Sequence, residues 1–136
     1  MTSVERRLYV AGVTLFLFGL ALGFAVPAFA DRSGVLTAHL TALGSGTFLI
    51  VIGVIWRKVD LGRKGSSLLA HVLWGSFYIL QAGLTLNANR TSGQSSQSTA
   101  QAVAGVLNTV GAIAMFIAVA TFLVFLIRSK PDAGTG

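Results

Sequence analysis

The sequence predicts an all-α fold: an integral membrane four-helix bundle forming a single domain, with both termini cytoplasmic. Three observations carry that expectation. Of 136 residues, 54% are hydrophobic and only 10% charged, whereas a soluble domain carries about a quarter charged residues. The excess is concentrated in four apolar stretches, 8–30, 35–56, 66–88 and 100–127, each at least the ~20 residues a helix needs to cross a hydrocarbon core. Within this chain they leave no room for a separate soluble domain. The third observation is where the charge sits. Arg6, Arg7, Arg57, Lys58, Arg63, Lys64, Arg128 and Lys130 fall on one side of the spans, and only Arg32 and Arg90 on the other. This positive-inside asymmetry places the protein in a bacterial cytoplasmic membrane with both ends inside. The net charge of +6 therefore sets topology and does not point to nucleic acid. There are no cysteines, which excludes disulfides and thiolate-ligated metals.

The first stretch follows Arg6-Arg7 and ends at Pro27-Ala28-Phe29-Ala30, a pattern shared with secretory leaders. Its apolar run exceeds the 7–15 residues of a typical leader core, so it is expected to stay as a span that Pro27 bends or ends. Gly19 and Gly23 form a small-xxx-small pair with Gly12 one heptad earlier, a face made for close helix packing. Asp31-Arg32-Ser33-Gly34 is a tight connection, so the first two helices are antiparallel neighbours.

The second stretch holds the most informative side chain, His39, on one helical stripe with Ala42, Gly46 and Gly53. At about 1.5 Å per residue His39 lies about 6 Å inside the outer boundary and Ser45 near mid-depth. A neutral imidazole in a dry bundle needs a proton acceptor, a proton donor or a metal. Residues 57–65 form the cytoplasmic turn, with Trp56 beside it as an expected interfacial anchor.

The third stretch enters from the cytoplasm, so His71 lies about 7 Å from the inner face, close enough to reach headgroups or water. Most of the membrane separates it from His39, and the two cannot share a metal within a protomer. His71, Gly75, Tyr78 and Ala82 make one stripe, with Trp74, Gln81 and Thr85 beside it. Gln81 needs a partner, because an unpaired amide in hydrocarbon costs several kcal/mol. Residues 91–99 are polar throughout and read as a flexible outer connection. In the fourth stretch Asn108 shares a face with Ala104, Gly111 and Met115, either as an interhelical clasp or as part of a site. The tail from Arg128 is an interfacial stop.

No Asp, Glu, Lys or Arg lies inside a span, which argues against proton pumps, ion-coupled transporters and voltage sensors. Nucleotide loops, paired metalloprotease histidines and the Gly-x-Ser-x-Gly elbow are also missing. What remains is an apolar bundle with His39, Ser45, Tyr78, Gln81 and Asn108, suited to a small, flat, apolar aromatic ligand arriving from the bilayer. Rearrangement within one substrate asks less of such a site than hydrolysis does. The competing class is a non-enzymatic bundle that binds a partner or lipid.

Gly19/Gly23, Pro27-Ala28, Arg32, Ala38-His39-Leu40 and Gly46 resemble the hydroxylaminobenzene mutases, small membrane enzymes that rearrange aryl hydroxylamines to aminophenols. The Ala38-His39-x6-Gly46 stretch and the Phe77-Tyr78 pair are also similar to the styrene oxide isomerases, which convert aryl epoxides to aldehydes. The resemblance implies a haem b whose iron is ligated by His39 and acts as a Lewis acid on a substrate oxygen. It further implies a homo-oligomer, a trimer in the isomerases, with the haem between subunits. Tyr78 would face the substrate oxygen, Ser45 or Asn108 would assist in orienting it, and Gly46 would make room for the macrocycle. Two departures bear on substrate. Ser45 stands where those families tend to have Asn, and Ala70 where the isomerases have an acid.

Overall fold

The computed structural model describes residues 1–29, 31–58, 62–88 and 99–128. Expectations for the outer connection at 91–98, for part of the cytoplasmic turn and for the tail beyond Arg128 lie outside the described residues. Four helices account for nearly all the rest: α1 Ser3–Ala25, α2 Arg32–Ile55, α3 Gly62–Ala88 and α4 Thr99–Arg128. All four are long and apolar enough to cross a membrane, and among the described residues there is no strand.

Local chemistry starts and stops the helices. Thr2 caps α1: its hydroxyl accepts from the Glu5 amide at 3.2 Å, and the Glu5 carboxylate accepts from the Thr2 amide at 2.8 Å, satisfying two otherwise orphaned donors. Pro27 ends α1, which tightens into a 3₁₀ turn at Val26–Ala28 because proline has no N–H to continue the ladder. Asp31 then caps α2, accepting from the Gly34 amide at 2.9 Å. The helices outrun the apolar stretches, since α1 begins at Ser3 and α3 at Gly62. The first turn of α1 carries its capping box and Arg6.

Packing makes two hairpins of close-set helices. In the first, a Cβ added at Gly12 would lie 2.7 Å from the Gly46 carbonyl oxygen, and one at Gly46 would lie 2.7 Å from the Gly12 carbonyl oxygen. Gly19 likewise lies under Ala42 and Leu43. In the second, Gly111 of α4 lies against the Leu80 backbone of α3, and Gly83 of α3 against Asn108 of α4. Lipid tails are as apolar as leucine, so helix association there rests on such close approach, which small residues permit. α2 and α3 join the hairpins and are the more enclosed, with 39% of each span buried against 22% for α1 and 17% for α4. The core around Leu8, Leu15, Leu49, Ile52, Leu73 and Phe77 fills the space between them.

Trp56 departs from the expected interfacial anchor. It is only 4% exposed, stacks on Phe122 of α4 at 5.4 Å and donates its indole N–H to the Ser66 hydroxyl at 2.7 Å. A buried indole requires an acceptor, and the adjacent helix start supplies one. Outward, large apolar side chains such as Phe24 (89% exposed) and Phe116 (73% exposed) form a surface compatible with lipid or a neighbouring protein, not with water.

Candidate functional site

His39 stands in the seam between α1 and α2, half-buried. Its Nδ1 lies 2.7 Å from the Gly19 carbonyl oxygen. A carbonyl only accepts, so Nδ1 donates and Nε2 is left with an in-plane lone pair. Gly23 makes the arrangement possible, because a Cβ there would meet the ring at 2.8 Å from Cε1 and 2.9 Å from Nδ1. A histidine used only for packing also bonds a carbonyl in this way. Two features set this one apart: the ring is only half enclosed, and among the described residues no group bonds Nε2. The same Nδ1-to-carbonyl bond is what orients metal-ligating histidines.

Among the described residues no three His, Cys, Asp or Glu side chains come together. A bare transition metal needs about three or four protein ligands. An iron porphyrin brings its own equatorial nitrogens and needs only an axial side chain, so the donor set at His39 fits a haem better than a naked ion.

A second feature is a cleft between α1 and α3. Near the end carrying Arg6 and Arg7 it forms a cavity of about 800 Å³ lined by Val10, Thr14, His71, Trp74 and Tyr78. Further along is one of about 510 Å³, lined by Leu15, Phe18, Gln81, Ala82 and Leu86. Thr14 and Tyr78 line both. Tyr78 donates to the Ala11 carbonyl at 3.1 Å and meets Trp74 edge-on at 5.9 Å. His71 donates from Nδ1 to the Ser67 carbonyl at 2.6 Å, so its Nε2 accepts from the Arg7 guanidinium at 3.1 Å. This ring is neutral and held at a basic, exposed end, as its boundary position suggested.

The remaining candidates lie in three other settings. Ser45 is buried on the α2 stripe with Ala38, Ala42 and Leu49, which faces the core. Gly46 sets α1 against α2, and the space it was expected to leave for a macrocycle is filled by α1 backbone at Gly12 and Phe16. Asn108 lies over Gly83 in the α3–α4 hairpin, its Oδ1 buried without a partner. Gln81, counted in the sequence among the polar groups of the expected pocket and as an amide needing a partner, donates to the Ala38 carbonyl at 3.0 Å. This sets the amide beside the backbone of His39.

These groups do not share a face, and the Tyr78 hydroxyl meets α1 at Ala11 while the imidazole meets it at Gly19, about 12 Å further along the helix. At about 100° per residue, the α1 face holding Gly12, Gly19 and Gly23 is roughly 130° from the one holding Ala11, Thr14 and Phe18. The imidazole therefore lies against one side of α1 and the Tyr78–Gln81 cleft opens along another. Neither Ser45 nor Asn108 lines either cavity.

Comparison with known proteins bears on this arrangement. The profile of a family described as styrene oxide isomerase matches residues 4–127. Hydroxylaminobenzene mutase HabB of Ectopseudomonas oleovorans is 40% identical over 59 residues, which are 43% of this chain and 36% of that protein. Hydroxylaminobenzene mutase HabA of the same organism is 33% identical over 58 residues, 43% of each chain. The matched stretches thus span less than half the length of these relatives. No solved structure matches the chain.

Proposed function

The chain belongs to the styrene oxide isomerase family, and from that premise we propose that it is a membrane-embedded intramolecular isomerase. Its substrate in this reading is a small apolar aryl hydroxylamine, rearranged to an aminophenol. The observation that carries the reading is His39, whose Nδ1 proton is committed to Gly19 and whose second nitrogen meets no partner among the described residues. A haem b would be held by that Nε2, with the Gly23 surface keeping the ring in place. When bound, the haem supplies a Lewis-acidic iron for the substrate's oxygen lone pair. The reaction retains every atom of the substrate, exchanging an N–O bond for a C–O bond and a ring C–H for an N–H, and so calls for no oxidant or reductant and no net proton acceptor. This suits spans without acidic residues.

The other residues bind, orient and exclude water. The Tyr78 phenol can exchange the Ala11 carbonyl for a substrate oxygen, giving up a bond worth about 1 kcal/mol net. Leu15, Phe18 and Leu86 wall the cleft and keep water from trapping a cationic intermediate. Gly46 contributes by seating α1, not by contact with the cofactor. Ser45 and Asn108 bear on catalysis through the packing of α2 and α4.

Because the imidazole and the cleft occupy different faces, a complete site forms when the cleft of one copy meets the His39 face of the next. A contact between unlike faces closes as a ring, and a trimer is the smallest such homo-oligomer. The basic asymmetry across the spans sets this assembly in a bacterial cytoplasmic membrane with both termini inside.

The test is product analysis of the purified, detergent-solubilised protein with phenylhydroxylamine and, separately, styrene oxide. Aminophenol is the expected product; an aldehyde from the epoxide alone would shift the assignment to epoxide isomerisation, and no product from either would overturn the reading. Tyr78→Phe is expected to lower turnover by roughly a hundred- to a thousandfold, the scale for losing one oriented donor. Thermal stability should stay close to that of the parent, since one interhelical hydrogen bond is worth only about 1 kcal/mol.

A further inference from the structure

The cavity of about 800 Å³ between α1 and α3 is lined by Arg6, Arg7 and His71 together with Val10, Trp74 and Tyr78. Arg6 and Arg7 immediately precede the first apolar stretch, which sets them at headgroup level. From Arg7 to Thr14 the α1 wall then runs about 10 Å into the apolar zone. Two guanidinium groups line this cavity and no carboxylate does. Glu5, the acid nearest them in the chain, is buried, and its carboxylate accepts from the Thr2 amide. Arg7 donates to His71 Nε2 at 3.1 Å, and that imidazole is itself held by the Ser67 carbonyl at 2.6 Å. The contact holds one guanidinium across the space from α1 to α3 and leaves it four further donors. A neutral ring does not compensate its charge. Both arginines and His71 are exposed as well as lining the cavity, so their N–H groups are within reach of a molecule that enters it. Val10 walls the same cavity while 58% exposed, so the cavity opens sideways, toward the bilayer.

We propose that this cavity binds one acidic phospholipid, with its phosphodiester on Arg6 and Arg7 and the first part of an acyl chain along Val10, Trp74 and Tyr78. The planar fork of arginine matches two phosphate oxygens, and basic pockets between membrane helices recognise acidic headgroups in this way. Trp74, half-buried beside His71 at 5.9 Å, sits where an indole suits the boundary between headgroup and chain. A free phosphate would meet the guanidinium groups but leave the apolar depth of the cavity unfilled, which favours a lipid as the occupant. Neither arginine nor Trp74 takes part in the proposed rearrangement, so the site stands or falls independently of it.

Trp74 supplies the readout. The full chain is reconstituted in phosphatidylcholine vesicles holding a minor fraction of brominated-chain phosphatidylglycerol or, separately, brominated-chain phosphatidylcholine. Quenching of tryptophan fluorescence is compared at equal bromine content. Phosphatidylglycerol is expected to occupy the site about thirtyfold better than phosphatidylcholine, about fivefold for each arginine. Arg6→Gln and Arg7→Gln should each lose about fivefold of that preference. Arg128→Gln removes the same charge from the same end of the bundle, but from α4 and outside the cavity, and should leave the preference unchanged. Trp74→Phe should abolish the excess quenching, because Trp56, the other tryptophan, is enclosed in the core. Inorganic phosphate, added against sodium chloride of matched ionic strength, should not relieve the quenching. Equal quenching by the two brominated lipids in the parent protein, or a preference that survives both arginine variants, would overturn the proposal. So would a loss in Arg128→Gln as large as in Arg7→Gln, which is the mark of a diffuse surface potential. Excess quenching that survives Trp74→Phe would place the lipid elsewhere, and relief by phosphate would make the site one for a free anion; either result rejects the lipid site.

Discussion

His39→Ala is expected to strip the purified protein of haem, seen as loss of its Soret absorbance, while the helical content measured by circular dichroism stays unchanged. The second half of that expectation follows from the helix itself. The Gly19 carbonyl that accepts from Nδ1 is interior to α1, so it also serves the intrahelical ladder and is not orphaned when the imidazole goes. Nothing else among the described residues offers an axial nitrogen at this level, since His71 is engaged by Arg7 and Ser67 at the other end of the bundle. Gly23→Ala probes the same assignment without removing the ligand. The new methyl would collide with the ring at 2.8 Å, so haem occupancy should fall or the Soret band shift. Undiminished haem in His39→Ala would reject the ligand assignment and return His39 to the role of a packing histidine.

The largest stability effect is expected at Gly46, with its near neighbour Gly44 as control. Gly46→Ala puts a methyl 2.7 Å from both the Gly12 carbonyl oxygen and the Phe16 amide nitrogen. Both are backbone atoms of α1, which can yield only if the helices separate. Overpacking of this kind costs about 1–3 kcal/mol, and with rigid atoms on both sides the upper end applies. Gly44 points into open space, with nothing within 4 Å of its would-be Cβ. Gly44→Ala should therefore be neutral or slightly stabilising, because alanine loses less backbone entropy than glycine in a helix. A melting series in detergent should place Gly46→Ala well below the parent and Gly44→Ala at or above it. Equal melting of the two variants would mean that the α1–α2 seam is not the close contact described.

The legible parts of the molecule were those written in short-range chemistry. The four spans, the stop at Pro27 and the small-residue faces of the first two helices are local or periodic features, and the structure has all of them. Gly12, Gly19, Gly23 and Gly46 could be read as a packing seam, yet not which glycine would oppose which. Hence Gly46 was expected to make room for a ligand when its space is taken by Gly12. Trp56 misled for a similar reason. An indole at a helix end reads as a headgroup anchor unless the chain that returns beside it, Ser66 in α3 and Phe122 in α4, is known to cover it.

Composition and periodicity sufficed to say that this chain is four membrane-spanning helices, that its spans carry no ionisable group but histidine and tyrosine, and that His39 is the side chain around which chemistry could gather. Those properties depend on residue type and spacing, which any reader of the chain can count. Only the folded arrangement decided which nitrogen of His39 carries the proton, that its ring and the Tyr78–Gln81 cleft lie on separate faces of α1, and that the Gln81 oxygen meets no donor among the described residues. Each of these depends on the relative rotation of neighbouring helices. That rotation is set by glycine-to-backbone contacts between residues tens of positions apart in the chain.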